Sequence, residues 1–278
     1  MHVLTVNYSD QNAPQLFCQS LRETGFAVLT SHPVSPGLIK LVYTQWELFF
    51  NSEYKHQYQH KKSSQNGYFP FRTENAKDNN ISDLKEFYHF YPWGEHPSNL
   101  TEITTMMFEV LNQLAGQLLQ WIESGLPLEV AATLTVPLKQ MIHGSRNTLL
   151  RILHYPPMRD GFEAHAVRAA AHEDINLITL LPAATAPGLE VLDRSGQWHA
   201  VACDPGNIVV NVGDMLQMCT NNYFRSTKHR VVNPLTETEN RSRFSMPLFL
   251  HPREEVRLAK NFTAGEYLSE RLRQIGIY

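Results

Sequence analysis

Three side chains in this sequence could share one metal ion: His172 and Asp174, two positions apart, and His229, 55 positions after Asp174. In extended backbone, residues two apart point to the same side. His172 and Asp174 would then offer an imidazole and a carboxylate together while Glu173 points away. A histidine from a distant strand would complete two histidines and one carboxylate on one side of the ion. That facial set is associated with non-haem Fe(II) chemistry because the opposite coordination positions stay open. A lone His-x-Asp is weak in a chain with 13 histidines. On its own, His172 reads equally as a satisfied core histidine and Asp174 as a turn residue. A second constellation lies downstream, where Arg243 and Ser245 share a strand face and Phe244 takes the other. An arginine inside a barrel is costly unless it meets an anion. A guanidinium fork beside a hydroxyl suits one carboxylate, since parallel charge-assisted hydrogen bonds fix its orientation. The alternative is an exposed Arg243 that snorkels at the rim.

The elements that would position these residues fall into two textures. The first half reads mostly helical. Pro14 to Glu23 has helical spacing and stops near Gly25, a short strand follows from Phe26 to Thr30, and Pro36 opens an amphipathic helix through Leu38, Leu41, Val42, Trp46, Phe49 and Phe50. Lys61 to Asn80 is polar and reads as a long loop, shaping an entrance. Glu86 to Tyr91 reads as a strand, and Leu100 to Ile122 and Pro127 to Ile142 as helices. From Asn147 the pattern turns to short β runs: Leu149 to Tyr155, Ala166 to His172, Leu177 to Leu181, Leu189 to Leu192, Trp198 to Val201, Ile208 to Val212, Thr227 to Val232 and Phe244 to Leu250. Turn signals at Asp193 to Gly196 and Asp204 to Gly206 separate them. Short strands at this spacing favour a barrel or sandwich over a parallel α/β sheet. The four strands between Asp174 and His229 are about what a double-stranded jelly roll needs to return the later strand beside the earlier one. A last helix, Ala264 to Arg273, packs outside. The fold class is therefore α+β with a mainly β core: a helical N-terminal region over 1–145, a jelly-roll core over 146–255 and a C-terminal helix over 256–278, all one structural unit.

Composition excludes several alternatives. At 278 residues and formal net charge -3, the chain can bury a large core and carries no basic footprint for nucleic acid. The cluster His60 to Lys62 reads as a solvated loop. No apolar run approaches the roughly 18 residues of a membrane span, and the N-terminus lacks signal-peptide regions. Cys18, Cys203 and Cys219 are odd in number and unpaired in spacing, as in free thiols of a reducing compartment. The expectation is a cytoplasmic protein whose partner is a small-molecule substrate, with no nucleic acid and no membrane; oligomeric state is not readable.

An ordered set of segments makes a resemblance specific. Gly25 to Leu29 through His32, Asn66-Gly-Tyr68, Asp83 to Phe87, Leu150 to Pro157, His172 to Leu181, Gly188 to Val191, Asn211 to Met215, Ser226 to Val231 and Arg243 to Phe249 resemble, in the same order, the isopenicillin N synthase-like family of Fe(II)- and 2-oxoglutarate-dependent dioxygenases. The resemblance implies that His172, Asp174 and His229 hold iron, with no catalytic residue beyond the metal centre. It further implies that Arg243, Ser245 and Tyr155 bind 2-oxoglutarate. Its implied activity uses O2, releases succinate and carbon dioxide from 2-oxoglutarate, and hydroxylates an unactivated C–H bond. The carboxylate at Asp174 argues against a halogenase, which needs that ligand position vacant. One departure is Leu153, where many members have an Asn that also contacts the cosubstrate. It keeps alive a 2-oxoglutarate-independent Fe(II) oxidase, ring-closing or desaturating. Further rivals are a non-catalytic small-molecule-binding module and a zinc hydrolase.

Other polar residues are read from position. Arg72, Tyr68 and Arg168, with Phe224, are candidates for substrate contact. His154, His165 and His199 read as structural, Asn211 and Asp214 as turn-formers, and Lys85 and Glu86 as an ion pair or surface residues.

Overall fold

The structure is a computed structural model and describes residues 2–61, 64–74, 81–158, 165–202, 204–260 and 262–274. Strand β1 (Thr5–Asn7), helix α1 (Ala13–Thr24) and strand β2 (Phe26–Thr30) open the chain. Gly25 ends α1 in the left-handed region, at φ 76°, a conformation open to glycine at no steric cost. Helix α2 (Pro36–Phe50) starts at Ser35, whose hydroxyl accepts from the Leu38 N–H. Strands β3 (Gly67–Phe69) and β4 (Glu86–Phe90) pair antiparallel before helix α3 (Ser98–Ser124). β3 lies inside the stretch read as a long loop, of which positions 62–63 and 75–80 fall outside the described residues; Cys203 falls outside them too.

The single helix expected over Pro127 to Ile142 is two short ones, α4 (Leu128–Ala131) and α5 (Leu138–Ile142), each starting directly after a proline. Pro137 has no N–H with which to continue a helix and disfavours helical backbone in the residue before it. The barrel strands follow: β5 (Leu149–Tyr155), β6 (Ala169–His172), β7 (Ile178–Pro182), β8 (Leu189–Leu192), β9 (Trp198–Ala200) and β10 (Ile208–Val212). Helix α6 (Asp214–Cys219) then leads to β11 (His229–Val231), β12 (Arg243–Ser245) and β13 (Leu248–Leu250). The last two were expected as one strand; Pro247, which cannot donate to a ladder, separates them. A hairpin of β14 (Arg257–Ala259) and β15 (Phe262–Thr263) precedes helix α7 (Ala264–Gln274).

Two sheets make the jelly roll. The larger runs β1-β2-β10-β7-β13-β5-β4-β3, with β12 also on β5; the smaller runs β6-β11-β8-β9. The N-terminal region, read as a helical layer, thus also gives four strands to the large sheet. That sheet is covered on both faces, which is why β10 is buried at every position. Alternation sorts the two sides. Ala27, Leu29, Ile208, Val210 and Val212 pack with the helices, around Trp46, Leu111 and Leu118. Phe26, Val28 and Val209 pack with Leu189 and Val191 of the small sheet. Trp46 in α2 donates its indole N–H to Thr104 of α3, so the helical layer is tied internally. Among the described residues, no helix is long and apolar enough to cross a membrane.

Candidate active site

β6 and β11 pair antiparallel with His229 opposite His172, so the two rings lie 4.4 Å apart between centroids. Just beyond β6, Asp174 brings its Oδ1 to 3.8 Å from His172 Nε2 and 3.7 Å from His229 Nε2. One donor atom from each residue fits within a 4.8 Å cluster. His172 Nδ1 lies 2.8 Å from the Ala170 carbonyl and His229 Nδ1 3.1 Å from that of Thr227. A carbonyl can only accept, so each Nδ1 carries the proton and each Nε2 presents a lone pair to the shared space. Asp174 Oδ2 is occupied by Thr179 Oγ1 at 2.6 Å and Asn211 Nδ2 at 2.7 Å, leaving Oδ1 for a cation. Thr179 and Asn211 are themselves register partners on β7 and β10, so the large sheet holds a ligand of the small one.

Electrostatics favour the ligand-ready forms. Burial raises the Asp174 carboxyl, but the imidazoles of His229 and His172 and the bonds from Thr179 and Asn211 outweigh it and hold the group below its ordinary value. Desolvation, then the adjacent His229, lower His172 to about 4 even though 38% of its side chain is open, so it is neutral at pH 7. The ring of Phe26 stands edge-on behind His229 at 5.5 Å. Gly25 lets the segment that leads into β11 close in, because a Cβ there would overlap Thr227 Oγ1 and meet the Arg225 carbonyl. Two imidazole nitrogens and one carboxylate oxygen form a donor set that fits Fe(II) with open positions.

The second constellation is also inside. Arg243 is only 2% exposed, which rules out the snorkelling alternative. Its Nε donates to the carbonyls of Ala186 at 3.0 Å and Pro187 at 3.2 Å, and its buried Nη1 has no partner. Arg243 pairs with Tyr155 and Ser245 with Leu153 across β12 and β5, and the guanidinium sits 5.1 Å over the Tyr155 ring. A buried, unsatisfied guanidinium N–H beside a buried serine is what a ligand carboxylate would complete. Leu153 packs with Phe69, Phe87, Tyr155, Ala169 and Val231, an apolar cluster where the family's Asn would be polar.

The remaining sequence candidates scatter. Tyr68 is 2% exposed, packs in the main core and donates its hydroxyl to Glu86; Phe224 is fully buried in the same core. Both were read as substrate contacts because they neighbour the motifs, but packing claims them. Arg72 is half-buried at φ 66°, its N–H on the Lys85 carbonyl. Arg168 is buried beside Arg243. Lys85 and Glu86 do not pair with each other. Lys85 bridges Asp83 at 2.8 Å and Glu74 at 2.7 Å, whereas Glu86 takes Lys55 at 2.9 Å and His154 at 2.7 Å. His154 and His199, the latter on Asp193 at 2.6 Å, are structural, as expected. Asn211 and Asp214, read as turn-formers, instead brace the metal loop: Asn211 through its side chain, Asp214 through its N–H on the Asp174 carbonyl at 2.7 Å.

Comparisons with known proteins agree with this geometry. The 2OG-Fe(II) oxygenase superfamily model matches residues 146–252, and the model described as "non-haem dioxygenase in morphine synthesis N-terminal" matches residues 7–107. A crystal structure of a Shewanella oneidensis protein described as an oxygenase is 46% identical and superposes over 100% of both chains with a TM-score of 0.90. One from Caulobacter crescentus, described as of the 2OG-Fe(II) oxygenase family, is 32% identical over 98% of this chain and 99% of that one, with a TM-score of 0.81. A proline hydroxylase of Petromyces alliaceus is 28% identical over 99% of both. The chain belongs to the 2OG-Fe(II) oxygenase superfamily, in its isopenicillin N synthase-like group. It is a non-haem dioxygenase whose cofactor is Fe(II) and whose cosubstrate is 2-oxoglutarate.

Proposed function

We propose that the enzyme hydroxylates an unactivated C–H bond of a small-molecule metabolite, with His172, Asp174 and His229 as the iron ligands and Arg243, Ser245 and Tyr155 as the 2-oxoglutarate receptor. Iron with 2-oxoglutarate would supply the oxygen-activating chemistry, with succinate and carbon dioxide as coproducts. The chain's own residues do the positioning. His172 and His229 present fixed Nε2 lone pairs, Thr179 and Asn211 hold Asp174 in one orientation, and Arg243 Nη1 waits for the distal carboxylate. The observation that carries this reading is the pairing of a ligand-ready His-Asp-His group with a buried guanidinium that lacks an anion. Relatives named for proline, homoarginine and gibberellin support a small metabolite as substrate. Arg72, whose N–H is held by the Lys85 carbonyl, is kept as a candidate for substrate contact on its position alone.

Succinate formed per O2 consumed tests the proposal. A ratio near one is expected once the substrate is supplied. The 2-oxoglutarate-independent oxidase is the second reading, favoured by Leu153 in place of the usual Asn. Turnover of substrate with no succinate would establish it and overturn the first.

A further inference from the structure

Arg243 sits over the Tyr155 ring, and Lys85 and Arg168 both feel its charge; two of these three cations have no carboxylate among the described residues. Lys85 is neutralised by Asp83 and Glu74. Arg243 and Arg168 meet no carboxylate among the described residues. Arg168 immediately precedes β6, next to Ala169, which packs with Leu153 and Tyr155. Its backbone N–H is held by Asn233 Oδ1 at 3.0 Å, and its Nη2 donates to the Arg241 carbonyl at 2.7 Å. Arg241 lies two residues before Arg243, so this bond ties Arg168 to the segment that leads into β12. Arg168 is 2% exposed and its Nε is buried without a partner. Burial, then the neighbouring Arg243, pull Arg168 down to about 10, while Tyr155 acts the other way. Two buried like charges with free donors are unfavourable unless an anion lies between them.

We propose that Arg168 is a second guanidinium for the distal carboxylate of 2-oxoglutarate, replacing on this side the contact that Leu153 cannot make. This rests on the cosubstrate reading of Arg243 above. The unpaired donors are Arg243 Nη1 and Arg168 Nε, with Ser245 on the same strand as Arg243 and Tyr155 opposite it on β5. The site then holds more positive charge than one carboxylate needs. It should discriminate strongly against 2-oxo acids of the same length that lack the second carboxylate.

The test is calorimetric titration of the anaerobic Fe(II) protein with 2-oxoglutarate and with 2-oxovalerate, the five-carbon 2-oxo acid that ends in a methyl group. Arg168→Gln should weaken 2-oxoglutarate by about 10- to 100-fold, the span of one charge-assisted hydrogen bond in a buried site. It should leave 2-oxovalerate within about 2-fold, since no anion faces Arg168 there. Arg168→Lys keeps the charge but not the fork and should fall between. It also decides the matter if the Gln variant fails to fold. Equal loss for both acids, or no loss for either, overturns the proposal. If the wild-type protein itself does not prefer 2-oxoglutarate over 2-oxovalerate, the reading of Arg243 fails instead.

Discussion

The His-Asp-His group and the pair of buried arginines are built on opposite plans. At the metal end, every ligand is backed: Ala170 and Thr227 fix the histidines, and Thr179 and Asn211 fix Asp174. At the proposed cosubstrate end, the buried guanidiniums of Arg243 and Arg168 each keep an N–H group without a partner. The metal end is therefore held in place by the protein itself, since hydrogen bonds orient all three donors. The other end carries an unfavourable charge that only a ligand relieves. An enzyme that must hold iron through many turnovers, yet take up and release a cosubstrate in each, benefits from that division.

Breaking the metal end should have the largest effect. Asp174→Ala removes one ligand and strands Thr179 and Asn211, so 2-oxoglutarate turnover should vanish and iron titration should show no tight site. Turnover that survived unchanged would mean the metal site is elsewhere. Next comes the cosubstrate end. Arg243→Gln should weaken 2-oxoglutarate binding by about 100-fold or more, as expected when one partner of a buried charge pair is truncated. Thermal unfolding of the ligand-free variant should occur no lower than in wild type, since an unpaired buried charge has gone. A large drop would show that Arg243 is structural. Removing the backing alone should do less: Thr179→Val and Asn211→Leu should each lower iron affinity by about 10- to 100-fold with 2-oxoglutarate affinity nearly kept.

The smallest effect sharpens the contrast at its exception. His251 is buried near Asp174 with its Nδ1 unpartnered, and burial lowers it to about 4. Its folded value lies below the ordinary 6.5, so between pH 6.5 and about 4 the unfolded chain binds a proton that the native protein refuses. Stability is then full above pH 6.5 and is lost as pH falls through that window. His251→Phe should flatten this part of the stability profile by up to about 1.4 kcal/mol per pH unit. Denaturant melts of both proteins across the window check it, and parallel profiles would show that His251 carries none of the slope.

How much of this was legible depended on whether a relation runs along the chain or across it. His172 and Asp174 on one face, and Arg243 with Ser245, follow from two-residue alternation and needed no structure. The return of His229 was readable as a spacing, but its placement opposite His172 is a register. Thr179 and Asn211 were missed because they meet Asp174 from the other sheet, and nothing local distinguishes a bracing Asn in a strand from one in a turn. Tyr68 and Phe224 were misread for the opposite reason: nearness to motifs says nothing about which side of a sheet an aromatic ring packs. Arg168 was legible only by its position just before the metal stretch, as a candidate substrate contact. Its proposed role at the cosubstrate end needs its bond to the Arg241 carbonyl, a contact across 73 positions.

On the proposed assignment, the two dissimilar halves of the site meet in 2-oxoglutarate. Anaerobic titration of the Fe(II) protein with 2-oxoglutarate, followed by the weak visible charge-transfer band of the chelate, tests both halves at once. The band should saturate in wild type, be absent in Asp174→Ala at any 2-oxoglutarate concentration, and appear in Arg243→Gln only at far higher concentration. A band that formed equally well without Arg243, or that never formed in wild type, would contradict it.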